Sequence, residues 1–258
     1  MTRTQRIPKV LRILISNDDG VYAPGINILA HELRRVADVT IVAPGTDQSA
    51  SSHSLTLTRP LRIRRHEDGV YSVDGTPTDA VTLAFHEILR RRRPHLVVSG
   101  LNHGANMGED VTYSGTVAAA IEGALMGVPA IAASVIPRDR DWRDFTSAAK
   151  FIRRLIPRII GRLPKHTLLN INFPKMPRGG YRKTQITGLG RRIYTEIIST
   201  NRDPRGLAYY WIGGEPSWDH TEETDAAAVR RGYVSITPLK IDMTDTSLVD
   251  EMRSWRLA

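Results

Sequence analysis

The stretch LRILISNDDG, residues 11–20, decides the fold. Leu11 to Ser16 is a short apolar run rich in branched side chains, and turn-forming residues, Asn-Asp-Asp-Gly, follow it at 17–20. A continuous apolar run without polar alternation is typical of a strand buried on both faces, as in a parallel sheet. The stretch therefore predicts an α/β fold whose first strand ends in two adjacent carboxylates.

Strand-like and helical segments alternate along the first two thirds of the chain. Four more apolar runs read as buried strands: Val39 to Ala43, Leu96 to Ser99, Ala130 to Val135 and Leu168 to Phe173. Helical periodicity predicts helices near 26–36, 81–89, 116–126 and 151–159, the second opening with a capping box at Thr76 to Asp79. This order predicts a Rossmann-like three-layer sandwich with a mostly parallel sheet.

The last third of the sequence has a different character. Residues 181–211 contain short strand-like stretches around Asp203-Pro204-Arg205-Gly206, a type I turn signature. We expect one domain over 1–258, with the Rossmann-like core at 1–180 and a protruding β-hairpin arm and C-terminal segment at 181–258. Small enzymes often use such arms to bind a second subunit, so we expect a homo-oligomer.

Composition excludes several classes of protein. The 258 residues include no cysteine, which excludes disulfides, thiolate metal sites and a cysteine nucleophile. No apolar run is long enough to cross a bilayer, and the basic start lacks a leader pattern, so we expect a cytoplasmic protein without a membrane partner. The net charge of +9 favours anionic ligands, although a solvated basic surface or a basic proteome is the commoner explanation.

Oxygen-bearing side chains follow several predicted strands at one edge of the sheet, where open α/β proteins bind ligands. Asp18 and Asp19 follow the first strand, Ser49 the second and Asn102 the third. Adjacent buried carboxylates repel each other, and a hard divalent cation such as Mg²⁺ or Mn²⁺ removes that cost. A solvated turn is the alternative reading of Asn-Asp-Asp-Gly.

Phosphate contacts are expected at the start of the helix near 116–126, because a helix N-terminus presents free N–H groups. His53 and His103 lie in loops of the same edge and are possible proton donors, although a surface position is the commoner role for a lone loop histidine. Neither a dinucleotide fingerprint nor a Walker lysine is present. We assign substrate or phosphate contacts to Asn17, Gly104, Asn106, Ser114, Gly115 and Thr116.

These motifs together resemble the SurE family of stationary-phase survival proteins with 5′-nucleotidase activity. The resemblance covers nearly the whole chain beyond the first ten residues. The matching segments are Ile13 to Val21, Ala23 to Ile26, Val42 to Pro44, Ser49 to Ala50, Ser54 to Thr56, Gly75 to Asp79, Val97 to Asn102, Asn106 to Gly108, Tyr113 to Ala120, Asn170 to Asn172, Asp203 to Gly206, Tyr233 to Leu239 and Trp255.

The resemblance implies one divalent metal ion per subunit, Mg²⁺ or Mn²⁺, held by Asp18, Asp19, Ser49 and Asn102, with the first two and Asn102 in catalytic roles. It implies release of phosphate from nucleoside 5′-monophosphates and often 3′-monophosphates, and in some members cleavage of short polyphosphate. It also implies a homodimer or homotetramer in which the arm and the C-terminal segment are exchanged.

The chain departs from the family pattern in one loop. Gly45 and Gln48 stand where the family commonly has Asp and Arg, which puts substrate contacts from that loop in doubt but not the metal site. Two other functions remain open. One is a non-enzymatic basic nucleotide- or RNA-binding protein, although no nucleic-acid motif supports a specific nucleic acid partner. The other is a nucleotide-dependent transferase, against which the missing phosphate-binding motifs argue.

Overall fold

The structure is a computed structural model that describes residues 10–138, 142–177, 180–181, 183–193, 198–213, 217–219 and 221–255. The basic residues 1–9, on which the expected absence of a leader partly rests, lie outside the described part. Residues 182 and 194–197 of the expected arm lie outside it as well.

Thirteen strands and six α-helices are described. The strands are β1 (Arg12–Ser16), β2 (Asp38–Pro44), β3 (Ile63–Glu67), β4 (Val70–Val73), β5 (Leu96–His103), β6 (Ala130–Val135), β7 (Leu168–Phe173), β8 (Thr184–Ile186), β9 (Arg192–Ile193), β10 (Ile198–Arg202), β11 (Ala208–Ile212), β12 (Ser217–Trp218) and β13 (Val234–Leu239). The helices are α1 (Pro24–Leu33), α2 (Pro77–Leu83), α3 (Gly115–Leu125), α4 (Arg143–Ile159), α5 (Asp225–Arg230) and α6 (Thr246–Met252). A π-helical turn at Ala84–Ile88 extends α2, and a 3₁₀ helix spans Gly108–Thr112.

One nine-stranded sheet dominates the fold, in the order β3-β4-β2-β1-β5-β6-β7-β13-β8. Its strand pairs are parallel except β3–β4 and β7–β13. The expected Rossmann-like α/β fold is therefore confirmed, and all five strands predicted from apolar runs are present. Two strands of this sheet, β8 and β13, come from the segment after residue 180, where we expected only the arm and the C-terminal segment.

Helices cover both faces of the sheet and enclose two apolar layers. Helices α1 and α4 pack over one face, and α2 and α3 pack over the other. The small residues of α3 let it lie very close to the sheet: a Cβ atom on Gly123 would come within 2.6 Å of the Val97 side chain on β5. The predicted capping box of α2 is confirmed, with Thr76 and Asp79 bonding each other's backbone N–H groups at 3.1 and 2.9 Å.

The predicted hairpin is confirmed as strands β10 and β11, which pair with each other and not with the main sheet. Its turn is closed by a 2.9 Å bond from the N–H of Gly206 to the carbonyl oxygen of Asp203. Every residue of both strands is exposed, and α6 buries none of its residues. Within the described residues, no helix combines the length and apolar character that a membrane crossing requires.

Candidate active site at the ends of the parallel strands

The turn after β1 is held by Asn17. Its side-chain amide donates to the carbonyl oxygen of Gly20 at 3.0 Å, and the N–H of Gly20 donates back to its side-chain oxygen at 3.2 Å. Gly20 has a φ of 99°, a conformation that glycine adopts without strain. Asn17 is buried and its amide shapes the turn that presents the two aspartates, while its expected contact with substrate stays a prediction.

Asp18 and Asp19 form a desolvated carboxylate pair. Asp18 is only 5% exposed, and burial raises its pKa although hydrogen bonds from Thr116 oppose the shift. Burial, followed by the charges of Asp18 and Asp47, raises the pKa of Asp19 to about 7. Two carboxylates that resist ionisation side by side create a site at which a cation is strongly favoured.

The start of α3 is packed directly against this pair. The Thr116 hydroxyl donates a short hydrogen bond to Asp18 Oδ1, and the Ser114 hydroxyl accepts from the N–H of Val117 at 3.1 Å as an N-cap. A Cβ atom on Gly115 would lie 2.7 Å from Cβ of Asp18, so only glycine fits there. Three of the six residues expected to contact substrate or phosphate thus lie at this helix start. The Thr116 hydroxyl proton is used by Asp18, whereas the Ser114 hydroxyl only accepts and keeps its proton for a ligand.

The loop after β2 brings Ser49 and a third carboxylate to the same place. The N–H of Gln48 donates to the backbone oxygen of Asp18 at 2.8 Å, which fixes the loop to the end of β1. The N–H and hydroxyl of Ser49 both donate to Asp47 Oδ1, at 2.8 and 2.7 Å. These bonds lower the pKa of Asp47. Sequence reasoning missed Asp47, whose position two residues before a candidate ligand was the only available signal.

Asn102 emerges from β5 at the same edge. Strands β1 and β5 are parallel neighbours with Ser16 opposite Ser99, so residues two or three positions further along each strand share one end of the sheet. The Asn102 amide nitrogen donates to the carbonyl oxygen of Gly104 at 2.9 Å, which leaves the amide oxygen as its metal-binding atom. The N–H of Gly104 donates to the carbonyl oxygen of Val135 at 2.8 Å, and the expected phosphate contact at Gly104 stays a prediction.

Asn106 is fixed in a network of amides beneath the site. Its side chain donates to the Ser134 hydroxyl at 2.8 Å, and its backbone oxygen accepts from the amides of Asn170 and Asn172 at 2.8 and 2.9 Å. Its own N–H donates to Asn172 Oδ1 at 2.9 Å. These bonds give Asn106 a role in holding the loop after β5, and its expected substrate contact stays a prediction.

The two loop histidines have protein partners. His53 Nε2 lies 3.0 Å from Oε2 of the buried Glu122 on α3, whose other oxygen accepts from the Thr82 hydroxyl at 3.0 Å. His103 is exposed and stacks on Phe145, with ring centroids 6.1 Å apart. The expectation that either histidine serves as a proton donor stays a prediction.

The chemistry of the donors fits a hard divalent ion. Asp18, Asp19, Ser49 and Asn102 offer carboxylate, hydroxyl and amide oxygens, the ligand types that Mg²⁺ and Mn²⁺ prefer. No cluster of three or more His, Cys, Asp or Glu residues suited to a metal occurs in the described part of the chain. A metal bound here would therefore depend on neutral oxygen ligands in addition to the carboxylate pair.

Comparisons with known proteins agree with this architecture. Residues 13–196 match the family model described as Survival protein SurE. A protein of Pelobacter propionicus named 5′-nucleotidase SurE is 47% identical over 247 residues, 95% of this chain and 99% of its own length. One of Vibrio parahaemolyticus with the same name is 48% identical over 249 residues, 96% and 95% of the two lengths. The SurE crystal structure from Aquifex aeolicus aligns with a TM-score of 0.83 and 38% identity, covering 94% of this chain and 98% of that one.

Proposed function

The chain belongs to the SurE family, and from this membership and the geometry of its carboxylate pair we propose that it is a divalent-metal-dependent phosphatase of nucleoside 5′-monophosphates. Relatives named 5′-nucleotidase match it over nearly their whole length. The observation that carries the proposal is the desolvated pair Asp18–Asp19, placed where Ser49 and Asn102 reach the same edge of the sheet.

The metal would be held by Asp18, Asp19, Ser49 and Asn102. A bound Mg²⁺ or Mn²⁺ supplies Lewis-acid polarisation of the phosphoryl group and an acidified water. The protein's part is to fix the ligands: Thr116 orients Asp18, the Asn17 turn orients both aspartates, and the bond from Gln48 to Asp18 holds the Ser49 loop in place. Because these hydrogen bonds are already formed in the folded protein, the metal ligands need little reorganisation during turnover.

The raised pKa of Asp19 points to a second role for this residue. Its pKa of about 7 lies near working pH, which suits a group that exchanges protons, but a bound cation would favour the ionised form. We therefore assign Asp19 to metal binding. The wider substrate range expected from the family, which includes 3′-monophosphates and short polyphosphate, belongs to the same proposal because the metal and its ligands would act on the phosphoryl group that these substrates share.

The test is phosphate release from a panel of nucleoside 5′- and 3′-monophosphates and short polyphosphate, with Mg²⁺, Mn²⁺ or EDTA. We expect turnover of nucleoside 5′-monophosphates only with metal. The variant Asp18→Asn should lose about 1000-fold or more in rate, since the metal contributes several kcal/mol to the transition state. Mn²⁺ should also raise the unfolding temperature of the wild type and not that of the variant.

A matched control is Asp68→Asn, which changes a carboxylate that is 98% exposed and pairs with Arg65 on the surface. It should retain wild-type turnover and the wild-type response to Mn²⁺. Near wild-type rates in Asp18→Asn, or full activity in EDTA, would refute the proposal.

We also propose that the protein works as a homodimer or homotetramer through its arm and C-terminal segment. The support is apolar surface that the arm and the C-terminal segment leave exposed in the single chain. Trp211 and Ile212 on β11 are 65% and 83% exposed, and Leu248 and Trp255 in the C-terminal segment are 42% and 45% exposed. Such exposed apolar patches are typical of interfaces. Sedimentation at micromolar concentration should show a dimer or tetramer, and a monomer would contradict this proposal.

A further inference from the structure

The hydroxyl of Ser51 is buried without a partner. Its oxygen is shielded from solvent and makes no hydrogen bond with the described residues. Burying a hydroxyl unpaired is costly, and such groups are rare in folded proteins. An unpaired buried hydroxyl beside a candidate active site therefore points to a ligand group that forms the missing hydrogen bond.

The surroundings of this hydroxyl identify the kind of ligand. A Cβ atom on Gly115 would lie 2.9 Å from Ser51 Oγ and 2.9 Å from Asp18 Oδ2, so the hydroxyl, the start of α3 and the carboxylate meet at one point. The first N–H groups of a helix have no acceptor within it, and they favour anions. Donors from a hydroxyl and a helix start therefore converge beside the proposed metal site.

The backbone on both sides of Ser51 is anchored, which fixes where its hydroxyl lies. The N–H of Ser51 donates to Gln48 at 3.1 Å, and its carbonyl oxygen accepts from the Ser54 hydroxyl at 2.8 Å. The next residue, Ser52, donates through its hydroxyl to Thr112 at 2.7 Å, which ties the loop to the segment before α3. The Ser52 N–H also donates to the carbonyl oxygen of Tyr113 at 3.2 Å, and none of these four bonds uses the Ser51 hydroxyl.

We propose that Ser51 is a phosphate-binding residue whose hydroxyl donates to a phosphoryl oxygen of the substrate. The proposal rests on the proposed function, and it adds a donor beside Ser114 to a site in which Thr116 already gives its hydroxyl proton to Asp18. Because Asp18 lies beside the same point, a phosphate is repelled until a cation neutralises the carboxylates. Phosphate binding should therefore require both the metal and the Ser51 hydroxyl.

The test is calorimetric titration of inorganic phosphate into the Mn²⁺-loaded protein, followed by steady-state kinetics. Ser51→Ala should weaken phosphate binding by about 10- to 100-fold, the effect of one hydrogen bond to a charged group, and raise KM more than it lowers kcat. Ser51→Thr keeps a hydroxyl and should retain most of the affinity. Affinity for Mn²⁺, titrated alone, should be the same in all three proteins.

Ser54→Ala is the matched control, because it makes the same chemical change in the same loop and removes only the bond to the Ser51 carbonyl. Unchanged phosphate affinity in Ser51→Ala, an equal loss in Ser54→Ala, or a loss of Mn²⁺ affinity in Ser51→Ala would each overturn the proposal. If the wild type binds phosphate through Ser51 but hydrolyses no nucleotide, the proposed function fails and the assignment of Ser51 stands.

Discussion

Two regions of the molecule hold desolvated aspartates, and they differ in how the carboxylate charge is stabilised. Asp225, at the start of α5, is completely buried and accepts three backbone N–H bonds: from Gly190 and Ala226 at 2.9 and 2.8 Å, and from Gly108 at 2.9 Å. Asp18 and Asp19 lie beside each other, with the charge of Asp47 added. Burial raises the pKa of all three carboxyl groups, so pKa direction alone does not separate the two regions.

The difference lies in what neutralises the charge. Asp225 is one carboxylate surrounded by N–H dipoles from three segments, so its interactions are complete within the protein, and its role is to join the loop at Gly108 to Gly190. The Asp18–Asp19 pair has two carboxylates and fewer donors, which leaves negative charge that only a proton or a cation can balance. A buried acid with complete partners indicates a structural role, whereas the buried Asp18 beside the half-buried Asp19, without such partners, indicates a binding site.

Of the substitutions that distinguish the two regions, replacement of Asp225 should have the largest effect, and that effect is on the free energy of unfolding. Asp225→Ala should lower the free energy of unfolding by about 3 kcal/mol or more, because it leaves buried backbone N–H groups without an acceptor. Urea unfolding in EDTA measures this loss. Asp18→Asn should cost far less under the same conditions, since it removes repulsion within the carboxylate pair.

The Asp225→Ala protein that remains folded should still be stabilised by Mn²⁺, because its metal ligands are intact. A variant that unfolds no more easily than the wild type, or that loses the response to Mn²⁺, would break the comparison between the structural and the binding aspartates.

The strands at the centre of the sheet were predictable from the sequence, and those at its edges were not. Strands β1, β5, β6 and β7 are buried on both faces, so each consists of an apolar run that predicts a strand. Strand β3 is an edge strand whose residues, Ile-Arg-Arg-His-Glu, are mostly exposed, and neither apolar runs nor alternation marks it. Strand β8 has three residues and pairs with β13, which lies about fifty positions away in the sequence, so only tertiary structure defines it.

The candidate site was likewise predictable only in part, because only some of its residues are marked by a local sequence pattern. Asp18 and Asp19 are conspicuous because two adjacent acids follow an apolar strand, and that arrangement is local. Asp225 gives no comparable signal, because an aspartate in the first turn of a helix is ordinary and its partners Gly108 and Gly190 are remote. Ser51 is one of several serines in a polar loop, and only the packing of Gly115 against it reveals its position.

The pH dependence of unfolding should distinguish the two regions further, with a smaller expected change in the free energy of unfolding. Burial raises the pKa of Asp225, so the folded protein holds its proton more tightly than the unfolded chain does. The stability that this contributes is fully present below the unfolded pKa of about 3.9 and is lost as the pH rises through the folded pKa. In Asp225→Asn this titration is absent.

The stability difference between the wild type and Asp225→Asn should therefore fall as the pH rises from about 4 toward neutrality. Urea unfolding of both proteins in EDTA at several pH values measures it, and titrations common to the two proteins, including those of Asp18 and Asp19, cancel in the difference. A difference that grows with pH would mean that the three N–H donors outweigh desolvation and favour the ionised carboxylate. Asp225 would then be a permanently charged structural group, and its contrast with the cation-dependent pair would be stronger, because the protein alone would stabilise one buried charge and not the other.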